Sequence, residues 1–80
     1  MKFPIYSIRD VHTGFMSPTV DSNDAAATRN FAHAVGNSAS LMNSHPKDYA
    51  LYHIGEFNSE TGELTPCMPE LVIDAFSLNP

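Results

Sequence analysis

The sequence has few positively charged residues, one cysteine and no tryptophan. Four lysine and arginine residues stand against nine aspartate and glutamate residues, so the net charge is -5 and no extended basic surface for nucleic-acid phosphates is predicted. A single cysteine excludes an internal disulfide and is compatible with a reducing compartment. Because Pro4, Ser7 and Arg9 interrupt the apolar N-terminal residues, we predict neither a signal peptide nor a membrane span.

Motifs for catalysis, metal binding and nucleotide binding are also missing. The histidines His12, His33, His45 and His53 lack HxxxH spacing, and Cys67 has no second cysteine to form a CxxC pair. The glycines do not form a phosphate-binding loop, which needs several glycines leading into a helix. We therefore predict no catalytic residue, no metal site and no cofactor, and a protein that is not an enzyme.

The length indicates a single domain, residues 1–80, with a small core. A chain of this size buries about 60% of the surface that its unfolded form exposes, which leaves its stability marginal. Hydrophobic residues make up 42% of the sequence and charged residues only 16%, so the composition is that of a globular protein with an apolar surface. Both observations favour a homo-oligomer.

One pattern occurs twice: Tyr-x-Ile-x-acid-apolar, then Thr-Gly, then any residue, an apolar residue, a hydroxyl residue and proline. The first copy spans residues 6–18 and the second spans residues 52–66, with a longer turn. Glycine after a polar residue supplies the positive φ of a tight turn, and apolar residues at every second position are typical of a strand with one covered face. The pattern predicts two β-hairpins, residues 3–18 and 49–66.

The segment between the hairpins predicts one helix, residues 22–36. Asp21 or Ser22 is the expected N-cap, and Gly36 is the expected left-handed residue at the C-terminus. Four apolar residues follow one another at i, i+4, i+7 and i+8, which places them on one face of the helix, and this face is predicted to be buried: Ala27, Phe31, Ala34 and Val35.

The remaining segments are an irregular link and a final strand. The link, residues 37–48, is rich in Asn and Ser and has room for one helical turn near Ser40. Near the C-terminus, the run Leu71, Val72 and Ile73 predicts a strand over residues 71–76, at a sheet edge because prolines precede it.

The predicted fold class is α+β, an antiparallel sheet of two hairpins plus the C-terminal strand, with one helix packed on one face. Even-numbered strand residues are expected beneath the helix, since they are apolar apart from two phenol groups: Tyr6, Ile8, Tyr52 and Ile54. The odd-numbered face mixes apolar and polar residues, which is typical of an oligomer interface. The predicted interface residues are Ile5, Val11, Leu51 and Phe57.

Single-stranded DNA binding is a further hypothesis, because a sheet can present aromatic rings to bases beside cations that contact the backbone. The predicted DNA-binding residues are the four cations and two phenylalanines: Lys2, Arg9, Arg29, Lys47, Phe3 and Phe57. The acids around both hairpin turns oppose this hypothesis, since counterion release is the usual source of DNA affinity.

Three segments resemble the small non-structural protein of gokushoviruses, single-stranded DNA phages of the microvirus family. They are KFPIYSIRD (residues 2–10), AAATRNF (residues 25–31) and PKDYALYHIGEF (residues 46–57), the last followed by Thr61-Gly62. The resemblance covers nearly the whole chain and the segments occur in the family's order.

The resemblance implies a non-virion protein that assists the change from duplex replication to single-stranded genome synthesis and packaging in the cytoplasm of an infected bacterium. It implies no catalytic residues. Two molecular roles remain open. In one, a homo-oligomer binds single-stranded DNA on aromatic side chains. In the other, the protein is an adaptor that binds the phage replication initiator, a host replication factor or the procapsid without contacting DNA. No membrane partner is expected.

Overall fold

The computed structural model describes residues 1–78; Asn79 and Pro80, the end of the predicted domain, lie outside it. Its elements in chain order are β1 (Lys2–Asp10), β2 (Gly14–Phe15), β3 (Thr19–Val20), α1 (Asp24–Gly36), α2 (Leu41–Ser44), a 3-10 turn (Pro46–Asp48), β4 (Tyr49–Asn58), β5 (Leu64–Asp74) and α3 (Ala75–Leu78). The strands form one antiparallel sheet in the order β2-β1-β4-β5, and β3 also pairs with β1. The predicted fold class, α+β with a helix packed on an antiparallel sheet, is confirmed, and the structure adds the short helices α2 and α3.

Both hairpins turn at the predicted glycines, since Gly14 has a φ of 98° and Gly62 a φ of 79°. The first hairpin differs from the prediction in its second strand, which is split into β2 and β3. Pro18 lies between them and has no amide hydrogen to donate to β1. The chain therefore leaves the edge of β1 after Met16, whose amide still donates to the Ile8 carbonyl, and pairs with β1 again at Thr19.

The predicted separate C-terminal strand is the end of one long strand. β5 runs without a break from Leu64 to Asp74, and α3 begins at Ala75, inside the range predicted as strand. Within the described residues β5 pairs only with β4, so Pro66 and Pro69 lie in an edge strand, where a missing amide hydrogen is tolerated. The strand ends where the Asp74 carboxylate accepts a hydrogen bond from the backbone N–H of Ser77 at 2.8 Å.

The ends of α1 differ from the sequence prediction by one or two residues. Asn23 is the N-cap in place of Asp21 or Ser22, and its side-chain oxygen accepts a hydrogen bond from the amide of Ala26 at 2.8 Å. Gly36 is the last helical residue and has no positive φ, so the predicted left-handed ending is wrong.

The core lies between α1 and one half of the sheet. Its buried residues are Tyr6, Ala27, Phe31, Val35, Tyr49, Leu51 and Ala75. Tyr6 lies beneath the helix as predicted, with Ile8 packed against the core, but the expected positions of Tyr52 and Ile54 are wrong, because Leu51 takes that place.

A β-bulge in β4 explains this exchange. Ile5 pairs with Gly55 and Tyr6 pairs with His53, so Ile54 is the extra residue and has no partner on β1. Toward the helix-covered end of the sheet, even-numbered residues of β1 consequently share a face with odd-numbered residues of β4, as in the pair Ile8 and Leu51.

The other half of the sheet extends beyond the helices. This distal ribbon, defined as residues 2–5, 54–58 and 64–69, contributes no residue to the core cluster. The molecule is elongated, 40 × 22 × 18 Å, and exposes 5262 Å² of surface. A compact monomer of 8.8 kDa is expected to expose about 4,800 Å². Leu64 and Met68 are exposed apolar side chains of the distal ribbon, whereas Ile5 is buried and Phe3, Ile54 and Phe57 are half-buried.

A hydrogen bond joins the sheet to the start of α1, since the buried Tyr6 hydroxyl donates to the Asp24 carboxylate. Burial and the neighbouring acids Asp24 and Asp21 raise the pKa of Tyr6 above its ordinary value. The folded state therefore holds Tyr6 in its neutral form.

Replacing Tyr6 with phenylalanine should reduce the free energy of unfolding by about 1.5 kcal/mol. This value is the lower end of the range for a hydrogen bond to a charged group, since water can hydrate the Asp24 carboxylate in the variant. Since the pKa is raised in the folded state, the stability from this group is complete below the ordinary pKa of 10.0 and is lost as pH rises above it. Urea unfolding at neutral and alkaline pH should show a smaller alkaline loss in Tyr6→Phe than in the parent protein. Tyr52→Phe is the matched control; equal alkaline losses in all three proteins would contradict the assignment.

Candidate functional site

The candidate site lies on the sheet face opposite α1. This face, called the open face, is inferred from strand pairing and alternation and carries Phe3, Ile5, Ser7, Arg9, Phe15 and Tyr52. Ile5 and Ser7 are themselves buried. Arg9 pairs with Phe15 on the neighbouring strand and is exposed. The Phe15 and Tyr52 rings meet edge to face, with centroids 5.5 Å apart and planes at 75°. An exposed cation and two aromatic rings therefore lie together in one small area.

Two hydrogen bonds between β1 and Met16 hold this area in place. The Ser7 side chain is 2% exposed, and its hydroxyl donates to the Met16 carbonyl at 2.6 Å. The amide of Met16 donates to the Ile8 carbonyl at 2.8 Å. The two bonds fix the residue after Phe15 against β1, so the Phe15 ring is positioned by the strand backbone.

The same face continues onto the distal ribbon. Phe3 and Phe57 are direct cross-strand partners and line a cleft of about 340 Å³ together with Val20. A second, more apolar cleft of about 210 Å³ is lined by Ile5, Pro18, Ile54, Leu64 and Pro66, with backbone of Gly55 and Thr65. Phe3 and Phe57 lie on one face as predicted, but Arg9, which was expected near them, is about 20 Å from Phe3 along β1 at 3.3 Å per residue.

The four predicted cations do not form one cluster. Lys2 and Arg9 are both on β1, separated by about 23 Å at 3.3 Å per residue. Arg29 is exposed on α1, which covers the opposite face, and the Lys47 ammonium lies 5.0 Å from the centroid of the Phe76 ring. Of these side chains, Arg9 alone pairs with an aromatic residue of the open face.

The predicted oligomer interface is split by the fold. Leu51 is 4% exposed in the core, so it cannot contact a second subunit, and its expected position on the open face is wrong because of the bulge at Ile54. Val11 is 50% exposed in the first turn, where its amide donates to the Asp48 carbonyl at 3.0 Å. Ile5 and Phe57 lie on the distal ribbon.

Phe15 and Tyr52 are the residues that the sequence reasoning missed. Each belongs to a predicted hairpin, but the contact between them spans two strands separated by β1. The position of Phe15 directly after Gly14 was a usable signal, because a residue that follows the turn glycine must pair with β1 near Arg9.

The end of the sheet beside the first turn is acidic. The Asp10 carboxylate accepts a hydrogen bond from the His12 amide at 2.9 Å, and this bond is the main cause that lowers the pKa of Asp10. Asp48 lies 3.4 Å from His12 Nε2. Burial, followed by the charge of Asp10, raises the pKa of Tyr49. Asp10 and Asp48 therefore place negative charge at this end of the sheet, next to Arg9.

Comparison with known proteins identifies a family. The family model described as "Phage ORF5 protein" matches residues 3–78. The chain belongs to the phage ORF5 protein family. No curated protein and no solved structure matches it. The chain is thus a small phage protein, as the resemblance implied. Among residues 1–78 of this ORF5 protein, no helix has the length and apolar character needed to cross a membrane.

Away from the aromatic area, the ORF5 protein brings together His53, Cys67 and Glu70, from which the sequence predicted no site. One donor atom from each residue lies within 4.8 Å of the others. The three residues come from two neighbouring strands, so no short sequence motif records them. Their proximity could have been predicted only from the register between β4 and β5.

Proposed function

We propose that this phage ORF5 protein binds single-stranded DNA as a homo-oligomer and so assists the switch from duplex replication to single-stranded genome synthesis and packaging. The family membership and the gokushovirus resemblance support a role in the infected bacterial cytoplasm. The observation that carries the molecular part is the exposed Arg9 beside the Phe15 and Tyr52 rings on the open face. The role is one of binding, without a catalytic step.

The aromatic area fits unpaired bases better than duplex DNA. Phe15 is 48% exposed, so a base can stack on it, and such stacking contributes about 1 to 3 kcal/mol per base. Arg9 can contact the adjoining phosphate. Because the chain carries a net charge of -5, we expect stacking to supply most of the affinity and phosphate contacts little of it.

Self-association offsets the small number of cations. The distal ribbon exposes apolar side chains on the open face, including Leu64 at 68%, and the cleft beside Ile5 can receive side chains of a second copy. Packing two such ribbons buries this surface and brings two Arg9 areas into one assembly. The expected assembly is a dimer or larger.

The test is fluorescence anisotropy with labelled single-stranded DNA of about 16 nucleotides, the upper range for one binding module. We expect Phe15→Ala to weaken binding by about 5- to 150-fold, which corresponds to the stacking of one base. We expect Arg9→Ala to weaken binding and to reduce the slope of affinity against salt by about 1. Sedimentation of the same samples gives the oligomeric state.

Phe76→Ala and Arg29→Ala are the matched controls, because both residues are exposed and lie away from the open face. Circular dichroism shows whether each variant is folded. The DNA model is wrong if no binding occurs at about 50 mM salt, or if Phe15→Ala and Phe76→Ala weaken it equally.

A second function, that of an adaptor, is favoured by the edge of β5. This strand leaves one side unpaired within residues 1–78 and exposes Leu64, Met68 and Leu71. A basic partner such as the phage replication initiator, a host replication factor or the procapsid could dock there beside the acidic turns. Loss of partner binding in Leu71→Lys, together with an absence of DNA binding, would favour this role.

A further inference from the structure

We propose that His53, Cys67 and Glu70 form a binding site for a zinc-type divalent transition-metal ion. The potential ligand atoms are a histidine ring nitrogen, the cysteine sulfur and a carboxylate oxygen, all within 4.8 Å of one another. Cys67 Sγ lies 3.7 Å from His53 Nδ1. This inference is independent of DNA binding and of the open face.

A distortion of the β4–β5 ladder builds the site. His53 pairs with Glu70 and Gly55 pairs with Pro66, so the stretch between these pairs is longer on β5 than on β4. Three residues of β5, Cys67 to Pro69, oppose the single residue Ile54 of β4, so β5 has two extra residues and bulges at this point. The bulge places Cys67 next to His53. Its sulfur lies 3.8 Å from the His53 carbonyl oxygen as well.

The distances suit tetrahedral coordination. With a metal–sulfur distance of about 2.3 Å and a metal–nitrogen distance of about 2.0 Å, tetrahedral geometry separates sulfur and nitrogen by about 3.5 Å. The observed separation of 3.7 Å between Cys67 Sγ and His53 Nδ1 needs almost no rearrangement. Glu70 is exposed, so its carboxylate can complete the set by a side-chain rotation.

The donor set selects the kind of metal. A thiolate, an imidazole and a carboxylate suit zinc and similar ions, whereas calcium and magnesium require oxygen ligands. Three protein ligands leave a fourth position for water or for a group on a partner. Because His53 and Cys67 are half-buried and Glu70 is exposed, that position is open to solvent.

Binding would couple to the stability of the ribbon. The Cys67 thiol loses its proton to the solvent when its sulfur bonds to the metal, so affinity should rise with pH. The ion would join the bulged part of β5 to His53 of β4, whose ring centroid lies 5.7 Å from that of the core residue Tyr6. Zinc should consequently raise the melting temperature of the reduced protein.

The experiment is titration of the full, reduced chain with cobalt(II) and then with zinc, followed by absorption spectroscopy and calorimetry. We expect a thiolate-to-cobalt absorption band that zinc abolishes. Cys67→Ser should remove the band. His53→Gln and Glu70→Gln should each weaken binding by at least about 10-fold, because even mutation of a residue that only hydrogen-bonds to a metal ligand costs about 10-fold. His33→Gln on α1 is the control and should bind as the parent does.

Protection of the thiol gives a readout in the unmutated protein. Zinc should slow alkylation of Cys67, and calcium at the same concentration should not. Absence of the cobalt band in the folded parent protein, or binding that Cys67→Ser and His53→Gln leave unchanged, would overturn the proposal. Equal alkylation rates of the Cys67 thiol with and without zinc would also overturn the proposal. The contact between Cys67 and His53 would then be a hydrogen bond without a metal-binding role.

Discussion

Replacing Phe31 with alanine is expected to lower the free energy of unfolding by about 3 to 5 kcal/mol. Phe31 is 3% exposed at the centre of the helix face that meets the sheet, and it packs in the same cluster as Tyr6 and Leu51. A chain of 80 residues has a total stability of about 4 to 12 kcal/mol. Much of the variant should therefore be unfolded at physiological temperature.

The size of this effect follows from the small core. Eight hydrophobic residues are buried within residues 1–78, and few neighbours are available to fill the cavity that a missing ring leaves. The measurement is urea unfolding followed by circular dichroism. Phe76→Ala is the control, because Phe76 is 54% exposed and its loss should cost little. Similar stabilities for the two variants would show that α1 does not provide the main core contact.

Gly55→Ala is expected to destabilise the β4–β5 pairing by about 2 to 3 kcal/mol. A methyl group at this buried position would lie 2.6 Å from the Thr65 carbonyl oxygen and 3.3 Å from Pro66 Cα. Both neighbours are backbone atoms, so no side-chain rotation relieves the contact and the two strands must separate. The pairing at this point adjoins the bulge that holds Cys67.

Gly36→Ala is the matched control for this substitution. Gly36 is the last residue of α1, has no positive φ, and has no atom within 4 Å of the position that a methyl group would occupy. Alanine there should stabilise the protein by about 0.4 to 1 kcal/mol through the reduced entropy of the unfolded chain. Thermal unfolding compares the two variants. Equal melting temperatures would contradict the close approach of β4 and β5 at Gly55.

Several local features were readable from sequence because they depend on neighbouring residues alone. Gly14 and Gly62 adopt the positive φ that their turns predicted, and the spacing of Ala27, Phe31 and Val35 identified the buried face of α1. The antiparallel α+β architecture followed, since two hairpins and one helix leave few ways to bury a single core. Family resemblance likewise agreed with the match over residues 3–78.

The positions of the side chains on the sheet required the three-dimensional pairing. One extra residue at Ile54 reverses which side chains of β4 face the helix, so Leu51 enters the core and Tyr52 reaches Phe15 on the open face. A second distortion, in β5, brings Cys67 to His53. Strand side chains alternate with a period of two, and a register shift of one residue therefore exchanges the faces. The energy that sets the register comes from packing between distant segments, which a local pattern does not record.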